Sequence, residues 1–239
     1  MAGPLDPRPA DPVLACPCCG GTEMSPARVI WQGLAEEWRL SPGEWRLLDE
    51  QQGTRCRGCG TDLRSQALAA AMMRVTGHAG PFAQFGAWMA TRGLRLLEIN
   101  PAGSLTRFLT GHAGHLLVRY PEVDMMALPF EAGAFDLVIH SDTLEHVRHP
   151  VRALAECRRV LKAGGHCVYT VPLLVGRMSL SREGMPPSYH GNPAAAARDH
   201  LVFTEYGADA WCQALEAGFA ECRIMAHKFP SALALAARA

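Results

Sequence analysis

The sequence has no net charge of either sign: 23 Lys+Arg stand against 23 Asp+Glu over 239 residues. That balance removes the whole-chain electrostatic reason for tight, nonspecific nucleic-acid binding and leaves room only for a local basic patch. No apolar run is long enough to cross a bilayer, and the opening MAGPLDPRPADP has neither a basic n-region nor an apolar h-region. The expectation is a soluble, cytoplasmic protein with no membrane partner. There is no internal repeat and no G-x-G-x-x-G turn of the dinucleotide-binding dehydrogenases. A disulfide framework is also missing. Cys157, Cys167, Cys212 and Cys222 sit singly inside apolar, periodic segments, the usual setting of buried thiols. A chain of this length can build one full domain with a small appendage.

The remaining cysteines are organised. After residues 1–12, a proline-rich stretch expected to be a disordered lead-in, come Cys16-Pro17-Cys18-Cys19-Gly20 and Cys56-Arg57-Gly58-Cys59-Gly60. Each Cys-x-x-Cys followed by Gly has the form of a zinc knuckle, in which a tight turn aims two thiolates at one point. Two such knuckles predict a structural zinc held by Cys16, Cys19, Cys56 and Cys59. Cys18 is the ambiguous member, since it can replace a neighbour, but the matching spacing favours Cys16 and Cys19. Between the knuckles, Ser41-Pro42-Gly43-Glu44 reads as a capping box opening a helix to about Gln52. Trp31, Trp38, Trp45, Leu47 and Leu48 are the expected core of this small unit, the other reading being a surface for bases. Asp62 to Val75 is rich in helix formers and stops at Gly77. The expected division is 13–76, a zinc-binding subdomain with a linking helix, and 82–239, the main domain.

The main domain is organised around Leu94–Leu109, LRLLEINPAGSLTRFL. An apolar run fit for a strand buried on both faces ends in Glu98, passes a Pro/Gly turn, and restarts with Leu105, Phe108 and Leu109 at helical spacing. A helix at 82–91 precedes it. His115 to Arg119 is a short strand, but too few residues follow for a crossover before 123–126, so one of the two segments must be irregular or at the sheet edge. Phe135 to His140 is another buried strand. Asp142 and Glu145 stand at capping-box spacing, and Pro150 opens a helix stopped by Gly164-Gly165. Cys167 to Val171 is a strand, 172–202 a long irregular segment of the kind that forms a lid or binding element, with Arg177, Arg182, Tyr189, His190 and Arg198. A helix lies within 203–218, and 220–227 with 231–237 make a closing antiparallel pair.

This order of motifs, with an acidic residue ending the first strand, Asp124 ahead of Leu128-Pro129-Phe130, then Phe135-Asp136-Leu137-Val138, Leu144-Glu145-His146-Val147 and Leu161-Lys162-Ala163-Gly164-Gly165, resembles the class I S-adenosylmethionine-dependent methyltransferases. It is closest to the branch whose motifs read D-x-x-x-LPF, S-x-x-LEHV and VLKPGG, and it covers roughly 94–238. The resemblance implies an α/β fold: a Rossmann-like, mostly parallel sheet with an antiparallel last strand, beside a small amino-terminal zinc-binding subdomain. It implies S-adenosylmethionine as cofactor. Glu98 would act near the cofactor amino group through water or the loop backbone, with Asn100, Ala102 and Gly103 in the turn facing the cofactor. Asp124 would accept from the adenine amino group, with Met125 over the ring, and Ser141 would line the methyl-transfer channel. His146 matches a position that serves as general base in some members; the other reading is a His on a helix surface.

Two departures stand out. The family's usual Gly-x-Gly-x-Gly turn is Asn100-Pro101-Ala102-Gly103-Ser104 here, where Asn100 can adopt the positive φ of the first glycine. The acidic residue that holds the ribose is replaced by Arg119 and Tyr120, with Glu122 the nearest substitute. The leading expectation is methyl transfer to an O, N or C nucleophile of a small or medium substrate. The alternatives are an inactive, scaffold-like relative and an RNA methyltransferase that reads its substrate through the zinc unit, which Arg55, Arg57 and Arg64 favour and zero net charge opposes.

Overall fold

The computed structural model describes residues 14–189 and 200–239. The proline-rich lead-in, His190 and Arg198 lie outside the described residues. Two short strands, β1 (Met24–Ser25) and β2 (Arg55–Cys56), pair antiparallel around the cysteine knuckles. Between them lie α1 (Gln32–Glu37) and α2 (Pro42–Gly53). The capping box at Ser41 is formed in both directions: the Ser41 side chain accepts from Glu44 N–H, and the Glu44 carboxylate accepts from Ser41 N–H. Asp62 caps α3 (Leu63–Thr76) by accepting from Ser65 N–H at 2.7 Å, and Gly77 ends it with φ 76°, a left-handed conformation that glycine adopts without a Cβ clash.

The chain continues through α4 (Phe85–Thr91), β3 (Leu96–Ile99), α5 (Thr106–Leu109), β4 (His115–Val118), β5 (Phe135–Ser141), α6 (Pro150–Val160) and β6 (Leu161–Thr170). Short strands β7 (Leu173–Leu174) and β8 (Leu180–Ser181) each pair with β9 (Thr204–Gly207), the first parallel and the second antiparallel. Helix α7 (Cys212–Glu216) leads to β10 (Glu221–Lys228) and β11 (Ala232–Arg238). The main sheet has the order β10-β11-β6-β5-β3-β4. Strands β4, β3, β5 and β6 run parallel, and β11 is antiparallel to both its neighbours. β4 is the edge strand, and 123–126 lie in turns. That resolves the crowding at 115–126 as the missing crossover requires.

Each central strand divides its side chains between two cores. Leu96, Leu137, Ile139 and the small residues Ala232, Ala234 and Ala236 face α3 and α4, with Leu68, Met72, Phe82 and Phe85. Leu97, Val138, Leu233 and Leu235 face α6 and α7, with Leu154, Cys157 and Ala214. A three-layer α/β/α stack results. Helix α3 is thus part of the main core, and Cys16, Cys18 and Cys56 share that core with the sheet. The turn at 77–81 interrupts the chain without interrupting the packing.

Three sequence expectations change. Trp38 and Leu48 are buried, with Trp31, Trp45 and Leu47 packed against them, but their cluster also contains Leu174 and Val202; the tryptophans pack α1 and α2 onto the 172–202 segment and do not form a self-contained metal subdomain. The pair Asp142 and Glu145 makes no capping box: Asp142 has φ 43°, a one-turn 3-10 helix spans Leu144–His146, and no side chain caps it. Gly164-Gly165 does not stop α6, which ends at Val160. The pair lies inside β6, where a Cβ on Gly165 would come 3.0 Å from the carbonyl oxygens of Asp136 and Lys162.

Candidate functional site

The two knuckles converge. Gly20 N–H donates to the Cys16 carbonyl at 2.8 Å and Gly60 N–H to the Cys56 carbonyl at 2.7 Å, folding each Cys-x-x-Cys into a tight turn. The sulfurs of Cys16, Cys19, Cys56 and Cys59 all lie within 4.8 Å of one another. Cys16–Cys59 and Cys19–Cys56 are each 3.6 Å apart. A disulfide needs about 2.05 Å, whereas zinc at about 2.3 Å from four sulfurs sets tetrahedral edges of roughly 3.8 Å. The donor set fits zinc. Cys18, buried beside Cys16, is outside this group. Its hydrogen bond to Cys16, with burial, pushes its pKa far above the usual thiol range, and the same bond is the main reason Cys16 is held well below it.

A cavity of about 1130 Å³ opens at the carboxyl ends of β3, β4 and β5, where an open parallel sheet holds its ligands. Asn100, Asp124, Met125, Ser141 and His146 all border it. Asn100 has φ 56°, as its place in the turn predicts, and its Oδ1 accepts from Tyr120 N–H at 3.0 Å, tying the turn to the end of β4. Asp124 Oδ1 accepts from Met126 N–H at 2.8 Å, while its second oxygen has no partner among the described residues. Ser141 shares a hydrogen bond with Thr170 at 2.8 Å. His146 Nδ1 lies 3.1 Å from the Leu201 carbonyl.

The other candidates lie elsewhere. Glu98 is fully buried behind the turn: one carboxylate oxygen accepts from Ala102 N–H at 2.7 Å and Thr106 Oγ1 at 2.5 Å, and the other faces His115 Nε2 at 2.6 Å. Glu98 thus holds the backbone of the turn in place. Ala102 is buried in the core. Gly103, at φ 56°, backs onto α3, where a Cβ would meet Ser65 Oγ at 2.9 Å. Glu122 is exposed and does not border the cavity; Arg119 and Tyr120 do.

The sequence reading misses the roof and the clamp. Val29, Ile30, Trp31 and Gln52 from the amino-terminal unit border the cavity opposite Tyr189, Leu201 and Phe203. Helices α1 and α2 are fastened to the 172–202 segment by Trp38 Nε1 donating to Ser188 Oγ at 2.9 Å, Arg177 to Glu44 at 2.7 Å, and Arg182 to Glu37 at 3.1 Å. Arg64, on the first turn of α3, donates to Asp142 at the tip of β5 and to Gln52 Oε1 at 2.7 Å; Gln52 Nε2 closes the triangle onto Asp142 at 2.9 Å. Burial works against the charge on Arg64, and Asp142 and Asp62 outweigh it, so its pKa is raised. Partners 78 residues apart leave no spacing signal. The one local hint is Asp142, an acidic residue just beyond a buried strand.

This site can be set beside known proteins. Residues 79–169 match the model of a methyltransferase domain family. The ubiquinone biosynthesis O-methyltransferase of Cereibacter sphaeroides is 26% identical over 166 residues, 59% of this chain and 62% of that one, so the chain aligns with under two thirds of that relative's length. An uncharacterized 37.1 kDa protein in a transposon of Streptomyces fradiae is 45% identical over 49 residues, 20% of this chain and 14% of that one. Among solved structures, an S-adenosylmethionine-dependent methyltransferase from Mesorhizobium loti is 15% identical with a TM-score of 0.37, covering 66% of this chain and 98% of that one. The methyltransferase CalH, solved with S-adenosylhomocysteine, is 16% identical with a TM-score of 0.42, covering 83% and 59%. The domain match falls on β3 to β6, the strands that carry the cavity, so this part of the chain is similar to a methyltransferase domain.

Proposed function

We propose that the chain binds S-adenosylmethionine in the cavity above β3, β4 and β5 and transfers its methyl group to a small or medium substrate held between Val29, Ile30, Trp31 and Gln52 of the amino-terminal unit and Tyr189, Leu201 and Phe203. The observation that carries this reading is the convergence of Asn100, Asp124, Met125, Ser141 and His146 on one cavity at the sheet's switch point. The residues fit the cofactor: Asp124 has a carboxylate oxygen to offer an amino group, and buried Met125 offers an apolar flank. When bound, the cofactor supplies a sulfonium methyl group. The chain's own task is to align the acceptor and keep out water. His146 suits a general base: its Nδ1–H donated to the Leu201 carbonyl sets the tautomer, and its Nε2 lies 3.7 Å from Glu145 Oε1, a carboxylate able to stabilise the protonated ring. A base beside the cavity favours an acceptor that must lose a proton, and the similarity to the Cereibacter O-methyltransferase favours oxygen.

Replacing Asp124 with Ala should weaken S-adenosylhomocysteine binding, measured by calorimetry, by about tenfold to a hundredfold, the worth of one hydrogen bond to a charged group. Unchanged affinity would remove Asp124 from the site. The four-thiolate cluster is proposed to hold one structural zinc. Metal analysis of purified protein should give about one zinc per chain, and the Cys59→Ser variant should lose it. A folded protein without zinc would refute that assignment.

A further inference from the structure

The cysteine cluster does not stand apart from the cofactor turn; it is bolted to it. Immediately after the second knuckle, Thr61 Oγ1 lies 3.1 Å from Cys59 Sγ and 3.4 Å from Cys16 Sγ, and Asp62 starts α3. Three contacts then run from this point to the loops that bound the cavity. Arg107, on α5, donates to the Cys59 carbonyl. Ser65, in the first turn of α3, shares a hydrogen bond with Ser104 at 3.1 Å, and Gly103 approaches so closely that a Cβ would lie 2.9 Å from Ser65 Oγ and 3.2 Å from Arg64 Nη2. Arg64 reaches past the turn to hold Asp142 and Gln52. Ala102 is packed in the same core as Cys16, Cys18 and Cys56.

From the other side the turn is held by the Glu98 carboxylate, which accepts from Ala102 N–H and Thr106, and by Asn100, which accepts from Tyr120 N–H and donates to the Val118 carbonyl at the end of β4. A family turn with three glycines can wrap a ligand by its own geometry. Here the turn keeps one glycine, and that glycine is spent on closeness to α3. We infer that the metal-thiolate knuckle is the external buttress of the cofactor turn, with Arg64, Ser65 and Arg107 as positioning residues, so that cofactor affinity depends on metal occupancy. The chain of cause is short. A metal fixes the Cys56–Cys59 turn and with it Cys59 O and the start of α3; these fix 103–107 on one side and Asp142 on the other. Without metal the four thiols lose their common centre, and 103–107 can drift from the position at which Asn100 and Asp124 face one cavity.

This inference rests on the cofactor reading above, and calorimetry with S-adenosylhomocysteine separates the two. Zinc-loaded protein that binds no S-adenosylhomocysteine overturns both. If it binds, removing zinc with a chelator under conditions where circular dichroism shows the fold retained should lower affinity at least tenfold, and added zinc should restore it. Equal affinity with and without zinc would overturn the buttress alone. Should the metal-free chain unfold, the zinc-loaded Arg107→Ala variant decides the matter, because Arg107 is exposed and ligates nothing. Full zinc content with a three- to tenfold loss of affinity supports the buttress, and affinity equal to the parent's overturns it.

Discussion

His140 occupies β5 without exposure, with neither ring nitrogen hydrogen-bonded among the described residues, stacked on Tyr169 at 4.7 Å between ring centres. Burial pushes its pKa down to about 3, so the folded protein keeps it neutral while the unfolded chain takes up a proton near pH 6.5. Its contribution to stability is complete above about pH 6.5 and is lost as pH falls from there toward 3. Urea midpoints should therefore decline across that window, and the His140→Phe variant should show a shallower decline; an identical slope would contradict the assignment. Single residues also show what the sequence can and cannot reveal. Asn100 was legible because positive φ is a local demand of the turn, met by few side chains. Cys16, Cys19, Cys56 and Cys59 were legible because ligand spacing is local within each knuckle. Arg64 was not, since its meaning depends on Asp142, brought to it only by the fold.

At the scale of elements, the same sequence pattern had opposite outcomes. Ser41 to Glu44 forms a capping box because nothing competes for its side chains except each other and Arg177. Asp142 to Glu145 has the same spacing, but Arg64 and Gln52 both hold Asp142 Oδ2, and the backbone turns through φ 43°. Tertiary partners outweigh a cap worth about 1 kcal/mol. The roof illustrates how such partners are built. Arg182 and Glu205 are both almost fully buried and paired, and burial raises the Glu205 pKa even against the pull of Arg182. The Glu205→Ala variant should lose roughly 3 kcal/mol in urea unfolding, the usual cost of leaving one member of a buried pair alone. A loss under about 1 kcal/mol would show that Glu37 and the Pro186 carbonyl, the other partners of Arg182, suffice to hold it.

For the whole molecule, strands β3, β5 and β6 could be read from buried apolar runs, since a strand covered on both faces must be apolar along its length, and the closing antiparallel pair from its alternation. The placement of the amino-terminal unit could not. Its helices were expected to serve a separate metal core, and instead Val29 to Trp31 and Gln52 roof the cavity while α3 joins the sheet's own core. The reason is that amphipathic faces state only that a surface is to be buried, not what will bury it. One consequence is that the site draws on the amino-terminal unit, the ends of the central strands and Tyr189, Leu201 and Phe203, and stands or falls as a unit. Its central claim is that the altered turn Asn100-Pro101-Ala102-Gly103 still admits an S-adenosyl ligand. Isothermal titration of the zinc-loaded protein with S-adenosylhomocysteine tests this directly. The account predicts saturable binding of one ligand per chain, and the absence of binding at high micromolar ligand would contradict it.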